Sequence, residues 1–199
     1  MKFYPVCLDI SNKRCVVVGG GEVAERKAAK LLECGARVVL VGKTMTPGLR
    51  AMKDEGNIEH VPDDYRREHI EGAFLVIGAT DRDDVNEKIF RDSRGRGILV
   101  NIVDEPARCD FIVPAVFRRK DLLVAISTGG KSPALAKRLR ESMEEEYGPE
   151  YGILLDIMGD LRERIIARGG TPAENKKIFE SVLDSDILRH IREAMRVTS

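Results

Sequence analysis

Val16-Val17-Val18-Gly19-Gly20-Gly21-Glu22-Val23-Ala24 decides how this chain is read. Three β-branched residues run into three glycines, and a helical pattern starts at once. Read as strand, tight turn and helix, the stretch matches G-x-G-x-x-[GA], with Gly19, Gly21 and Ala24 in the three slots. Gly19 suits the tight turn, Gly21 lets backbone N–H groups approach a pyrophosphate, and Ala24 lets the helix pack closely on the strand. A diphosphate then rests at the positive end of the helix dipole, with Gly20, Glu22 and Val23 completing the cradle. The competing reading is a glycine-rich turn without a ligand. The legible strand before it and helix after it favour a dinucleotide site.

Working outward, Lys13–Val18 is the first core strand, and its near-continuous apolar run suits a parallel strand covered on both faces. The helix from about 21 to 34 places Ala24, Ala28, Leu31 and Leu32 on one face and stops at Gly35. Arg37–Val41 is the second strand, which completes a strand–helix–strand unit. A weaker helix is expected at 47–55, strands at 58–61 and 73–79, a helix running to about Arg94, and a fifth strand at 98–103. Strands alternating with helices at this spacing predict an α/β fold, a Rossmann-type parallel sheet spanning residues 1 to about 113.

Beyond that point the pattern changes. Phe111–Phe117 and Leu122–Ile126 read as a β-hairpin around the polar turn 118–121. Ser132 is a good N-cap and Pro133 suits the first position of a helix that reaches about Tyr147, with Leu135, Leu139 and Met143 on one face. Residues 150–199 read as amphipathic helices near 150–168, 172–182 and 184–196, a packing and oligomerisation layer.

Lysine plus arginine number 33 and aspartate plus glutamate 33, so no net charge draws the chain to nucleic acid or to a membrane. No apolar run is long enough to span a bilayer, and the N-terminus lacks the apolar core of a signal peptide. The four cysteines, Cys7, Cys15, Cys34 and Cys109, form no C-x-x-C pair; buried, reduced thiols in a cytoplasmic protein are expected, and no zinc site. His60, His69 and His190 have no ligand spacing and read as surface or boundary residues. No metal site is expected.

In an open parallel sheet, ligands bind outside the carboxyl ends of the strands. The loops expected to converge there are Gly19–Val23, Gly42-Lys43-Thr44, Gly78-Ala79-Thr80-Asp81 and Asn101 to Pro106, with Asn101 and Val103 at the cofactor. Asp104 ends the fifth strand, on the side where a nicotinamide falls. It is a candidate general base that removes a proton while a hydride leaves the same substrate, against the plainer reading of Asp-Glu-Pro as turn chemistry. An acid for the ribose hydroxyls of NAD is expected about twenty residues after the glycine turn, yet Gly42-Lys43-Thr44 stand there. Lys43 is either a partner for a 2′-phosphate or an exposed loop lysine, which leaves NAD and NADP both open on these residues. Arg118, Arg119, Lys120, Lys131, Lys137, Arg138 and Arg140 make 118–140 locally basic. Together with Gly129-Gly130 before a capped helix they suit substrate carboxylates, or else form a solvated face balanced by Glu141 and Glu144–Glu146.

The sequence resembles the precorrin-2 dehydrogenase module of sirohaem synthases. The resemblance rests on 17–28 (VVGGGEVAERKA), Gly-Ala-Thr-Asp at 78–81 with Val85-Asn86, Asn-Ile-Val-Asp at 101–104, Phe-Ile-Val-Pro-Ala at 111–115 and Ala-Ile-Ser-Thr-Gly-Gly-Lys-Ser-Pro-Ala-Leu-Ala at 125–136. Order and spacing hold from about residue 4 to 146, and generic Rossmann domains lack the last block. The resemblance implies NAD-dependent oxidation of precorrin-2 to sirohydrochlorin, towards sirohaem and in some organisms cobalamin, with Asp104 as the key carboxylate. It implies a homodimer joined through about 114–148, a polycarboxylate substrate held by Ser127, Thr128, Gly129, Gly130, Lys131 and Ser132, and NAD rather than NADP. A loop serine phosphorylated in some fused enzymes is replaced here by Thr128.

The expected organisation is an NAD-binding Rossmann domain at 1–113, a dimerisation and substrate-binding segment at 114–148 and a C-terminal helical domain at 149–199. No methyltransferase sequence follows, which reads as the stand-alone form. Two alternatives remain at this level. One is a bifunctional enzyme that also inserts Fe2+ into sirohydrochlorin, with Asp104 helping to remove pyrrole protons. The other is a non-catalytic dinucleotide-sensing module, against which the basic hairpin and the 127–133 loop argue.

Overall fold

A computed structural model describes residues 3–197, in two compact units that divide between Val113 and Pro114. The first is a five-stranded parallel sheet built from β1 (Arg14–Val18), β2 (Arg37–Val41), β3 (Ile58–Val61), β4 (Leu75–Gly78) and β5 (Leu99–Ile102), in the order β3-β2-β1-β4-β5. Helices α1 (Glu22–Glu33), α2 (Pro47–Asp54) and α3 (Asp83–Arg94) connect the strands. This is the Rossmann-type arrangement expected from the alternating pattern. The chain leaves β1 in one direction through β2 and β3, then returns to the other side of β1 for β4 and β5. The resulting switch point lies between β1 and β4, where open α/β sheets bind ligands.

Strand side chains alternate between two cores because successive residues point to opposite faces of a sheet. Cys15, Val17, Val38, Leu40, Leu75 and Ile77 pack on one face with Ala24, Ala28 and Leu31 of α1 and Leu49 of α2. Val16, Val18, Val39, Val41, Val76, Val100 and Ile102 pack on the other with Ile89 of α3 and with Ile70. Both faces are covered, which is why these strands are unbroken apolar runs rather than alternating ones. Alanines at positions 24 and 28 are fully buried, so α1 lies close on the sheet with no larger side chain between them.

The second unit opens with a hairpin, β6 (Ala115–Arg119) and β7 (Leu122–Ile126), paired antiparallel with Phe117 opposite Val124. Lys120 in the turn takes a positive φ of 53°. Four helices follow: α4 (Pro133–Glu146), α5 (Glu150–Arg168), α6 (Pro172–Leu183) and α7 (Ile187–Val197). Arg119 ties the hairpin to the end of α4 through the carbonyls of Glu144 at 2.7 Å and Tyr147 at 3.0 Å. Arg192 of α7 holds the buried carboxylate of Glu150 on α5 at 2.8 Å.

Three expectations are corrected, for the sixth strand, the fourth strand and the cysteines. The sixth strand starts at Ala115 rather than Phe111, because 111–114 runs without ladder bonds into Pro114, which has no N–H to donate. The fourth strand is shortened from 73–79 to Leu75–Gly78. Only Cys15 is a buried thiol, its pKa pushed up to about 11 by burial; Cys7 and Cys34 are exposed, the latter at the C-cap of α1. On α4 the buried residue is Ala136, while Leu135 and Leu139 stay 49% and 42% exposed. Packing on the hairpin selects the Ser132–Ala136–Arg140 edge of that helix, one position round from the leucines.

Leu40 is fully buried in β2. Leu40→Ala is expected to lower the unfolding free energy of the first unit by about 2–5 kcal/mol, the usual cost of a large-to-small core change. Urea denaturation followed by circular dichroism measures it.

Candidate active site

The carboxyl edge of the sheet ends in a row of backbone hydrogen bonds one residue beyond the strands. Gly42 N–H donates to Val61 at 3.0 Å, Gly19 to Val41 at 2.9 Å, Ala79 to Val18 at 2.8 Å and Val103 to Gly78 at 2.9 Å. This row starts the loops after β1, β2, β4 and β5 at one level. They wall a cleft of about 730 Å³ that also takes in Asp63, Asp64 and Tyr65 from the loop after β3.

Each glycine of the first loop has its own reason to be glycine. A Cβ on Gly19 would lie 2.2 Å from the Ala79 carbonyl oxygen, and its φ of 126° disfavours any side chain. A Cβ on Gly20 would lie 1.7 Å from the Thr44 carbonyl oxygen. A Cβ on Gly21 meets no atom within 4 Å, so the backbone there faces open cleft. Gly21 is also the N-cap of α1, and no side chain caps that helix, whereas Thr46 Oγ1 caps α2 by accepting from Leu49 N–H. The first-turn N–H groups of α1 are thus left for an anion. A cradle that bars side chains, beside an uncapped helix start, fits the diphosphate of a dinucleotide.

Asp104 lines the same cleft, in a left-handed conformation with φ 62°. Outside glycine this conformation is costly and persists only where the surroundings over-determine it. Here they do. Glu105 N–H donates to Ile102 at 3.2 Å, closing the turn that contains Asp104. Arg108 bridges Asp83 at 2.6 Å, Glu105 at 2.7 Å and Glu87 at 3.1 Å, pinning the turn to α3. The buried Asn86 amide donates to the Thr80 carbonyl at 3.1 Å and to Glu105 Oε1 at 3.2 Å, joining the loops after β4 and β5. The Cys109 thiol contacts the carbonyls of Ile102 and Glu105, both at 3.2 Å. Lys27 of α1 lies within electrostatic reach: burial lowers its pKa, with Arg26 adding to the effect and the charge of Asp104 opposing it.

The cleft brings together Gly19, Gly20, Gly21, Glu22, Val23, Gly42, Lys43, Thr44, Ala79, Thr80, Val103 and Asp104. Three other expected residues stand behind it. Ala24 is fully buried under α1, and Gly78 closes the end of β4, where a Cβ would strike Ile102 Cδ1 at 2.6 Å. The Asn101 amide is buried and donates to the Phe111 carbonyl at 2.9 Å, so it anchors the 109–111 segment. Sequence reasoning missed Asp63, Asp64 and Tyr65 of the loop after β3, and Arg82 and Val85 after β4. Burial raises the pKa of Tyr65, whose hydroxyl donates to Asp92 at 3.1 Å.

A family model described as putative NAD(P)-binding matches residues 6–115, and a second, described as sirohaem biosynthesis protein central, matches 119–146. "Siroheme synthase 1" of Aeromonas salmonicida (strain A449) is 39% identical over 94% of this chain and 40% of its own length. "Siroheme synthase" of Nitrosospira multiformis (strain ATCC 25196 / NCIMB 11849 / C 71) is 39% identical over 92% of this chain and 40% of its own. The chain belongs to the family described as putative NAD(P)-binding. It spans about 40% of the length of these curated relatives. The solved structure of SirC, described as a precorrin-2 dehydrogenase, shares its fold with a TM-score of 0.78 at 24% identity, over 98% of this chain and 99% of that one.

The second family block contains the 127–132 loop, in the second unit. Gly129 and Gly130 both take positive φ, 63° and 82°. Gly129 N–H donates to Ser127 Oγ at 3.1 Å, Thr128 Oγ1 accepts from Ser132 N–H at 3.1 Å, and Lys131 N–H donates to the Thr128 carbonyl at 3.2 Å. Ser132 Oγ caps α4 by accepting from Leu135 N–H at 3.2 Å. Much of the basic stretch is already neutralised: Arg119 and Arg140 pair with Glu144, Lys120 with Asp156 and Lys137 with Glu141. Arg118, Lys131 and Arg138 are exposed and outside the ion pairs among the described residues. Among the described residues, no group of three or more His, Cys, Asp or Glu is arranged to hold a metal ion.

The glycine contacts separate two variants of the family cradle. Gly20→Ala is expected to cost about 1–3 kcal/mol, because the new methyl must displace the Thr44 backbone. Gly21→Ala is expected to keep stability within about 0.5 kcal/mol, yet weaken dinucleotide binding by placing a methyl in the cleft. Thermal melting and calorimetric titration with NAD+ check the two.

Proposed function

We propose that this chain is an NAD-dependent dehydrogenase that oxidises precorrin-2 to sirohydrochlorin. The observation that carries this reading is the Asp104 carboxylate, set by a strained turn after β5 into the wall of a dinucleotide cleft. The names of the sirohaem synthase relatives and of SirC support the substrate class.

The α1 N-terminus and Gly19–Gly21 hold the diphosphate of NAD, and the loops after β4 and β5 border its nicotinamide. Bound NAD supplies the hydride acceptor. The oxidation removes one hydride and one proton from the macrocycle, and Asp104 takes the proton as general base. Arg108 and Asn86 hold the turn that carries Asp104, through Asp83, Glu87, Glu105 and the Thr80 carbonyl, so the backbone is fixed before proton transfer. Precorrin-2 is a polycarboxylate. The glycine loop 127–132, with Lys131 and the exposed Arg118 and Arg138, supplies N–H donors and cations of the right kind for it. Leu135 and Leu139 of α4, with Leu123 of β7, leave apolar surface exposed in one copy, which supports a homodimer through this segment. No described helix is long and apolar enough to cross a membrane, and we place the enzyme in the cytoplasm.

Asp104→Asn removes the base and keeps the side-chain volume. It is expected to slow NADH formation from precorrin-2 by about a hundred-fold or more while leaving the Kd for NAD+ unchanged. Absorbance of precorrin-2 with and without NAD+ measures the first and calorimetry the second. Full activity in the folded variant would overturn the assignment. In sedimentation, Leu135→Glu/Leu139→Glu is expected to shift the protein from dimer to monomer without loss of helix content.

A further inference from the structure

In a Rossmann fold the acid that grips the adenosine ribose usually stands at the end of β2. This chain has Gly42-Lys43-Thr44 there, with no acid. Sheet order supplies what the sequence order lacks. β3 lies beside β2 with Val61 opposite Val41, so the loop after β3 flanks the loop after β2 along the same cleft wall. That loop carries Asp63-Asp64-Tyr65, and Asp64 Oδ2 meets Lys43 Nζ at 2.5 Å.

The neighbouring cations are engaged in the same manner. Arg66 pairs with Asp63, and Arg82 with Asp84 at 2.9 Å. A 2′-phosphate arriving here therefore meets a lysine already neutralised and a carboxylate beside it. A ribose hydroxyl, in contrast, meets an acceptor whose side chain is still 62% exposed. The hydrogen bond from Lys43, with the nearby charges of Lys43, Arg82 and Arg66, lowers the pKa of Asp64.

We propose that Asp64, on the loop after β3, is the residue that selects NAD over NADP in this cleft, by supplying the carboxylate missing from β2 and by occupying Lys43. This rests on the reading of the cleft as a nicotinamide-dinucleotide site. An exposed ion pair by itself contributes little to stability. The role assigned to this pair is discrimination: a doubly charged phosphate beside a carboxylate is repelled, and a hydroxyl is not.

Calorimetric titration with NAD+ and NADP+ tests the proposal on the full chain, using Asp64→Asn, Lys43→Met and the double variant, each checked for folding by circular dichroism. The unaltered protein is expected to bind NAD+ at least about ten-fold more tightly than NADP+. Asp64→Asn is expected to narrow that ratio about ten-fold or more, chiefly by gaining affinity for NADP+ as Lys43 is released. Adding Lys43→Met is expected to remove the gain. An unchanged ratio in a folded Asp64→Asn protein that binds NAD+ overturns the assignment of Asp64, as does an unaltered protein that shows no preference. If the folded, unaltered protein binds neither nucleotide, the reading of the cleft itself is overturned instead.

Discussion

Backbones, not side chains, meet at the carboxyl edge of the sheet. Gly19 lies against the Ala79 carbonyl and Gly20 against the Thr44 carbonyl, so closely that neither position has room for a Cβ. These approaches let the loops after β1, β2 and β4 share one wall, and the hydrogen-bond row from Gly42 to Val103 holds their starts level. Every other feature of the cleft follows from that alignment. A side chain at Gly19 or Gly20 would push a loop away and unmake the row. The freedom at Gly21 has the opposite meaning, since the space above it faces the cleft and suits a ligand.

The two-sided core makes this edge rigid. Both faces of β1, β2 and β4 are buried, so the strands cannot shift in register without moving apolar residues from one core to the other. The turn after β5 needs more support because it holds Asp104 in an unfavourable backbone conformation. Arg108, in the turn itself, provides it by pairing with Asp83 of α3 and with Glu105, and Asn86 of α3 provides it by bonding Glu105 and the Thr80 carbonyl of the loop after β4. The carboxylate assigned the proton transfer is thus held by residues that do not line the cleft. This division is common where precise placement matters.

In the second unit, charge is largely balanced within the unit itself. Arg119, Lys120, Lys137 and Arg140 are all spoken for by carboxylates, so the apparent basic stretch reduces to a few exposed cations. The same packing turns Ala136 inward and leaves the leucines of α4 outside.

The sheet, its helices and the glycine cradle were legible from the chain alone, because apolar periodicity and glycine placement act over a few residues and survive in the one-dimensional pattern. Val16–Ala24 announced the cleft, and Asn101–Asp104 its carboxylate. That the Asn101 amide donates to the Phe111 carbonyl was not legible, since nothing local distinguishes an amide aimed at a ligand from one that anchors a neighbouring segment. The Leu135/Leu139 face of α4 was legible as a stripe but its exposure was not, since amphipathic spacing does not say which neighbour covers it. Tertiary structure alone decided that Asp64 meets Lys43, that Arg108 and Asn86 brace Asp104, and which cations are neutralised. Each of these depends on contacts between segments brought together by strand order, and the local pattern of a sequence carries no record of that distance.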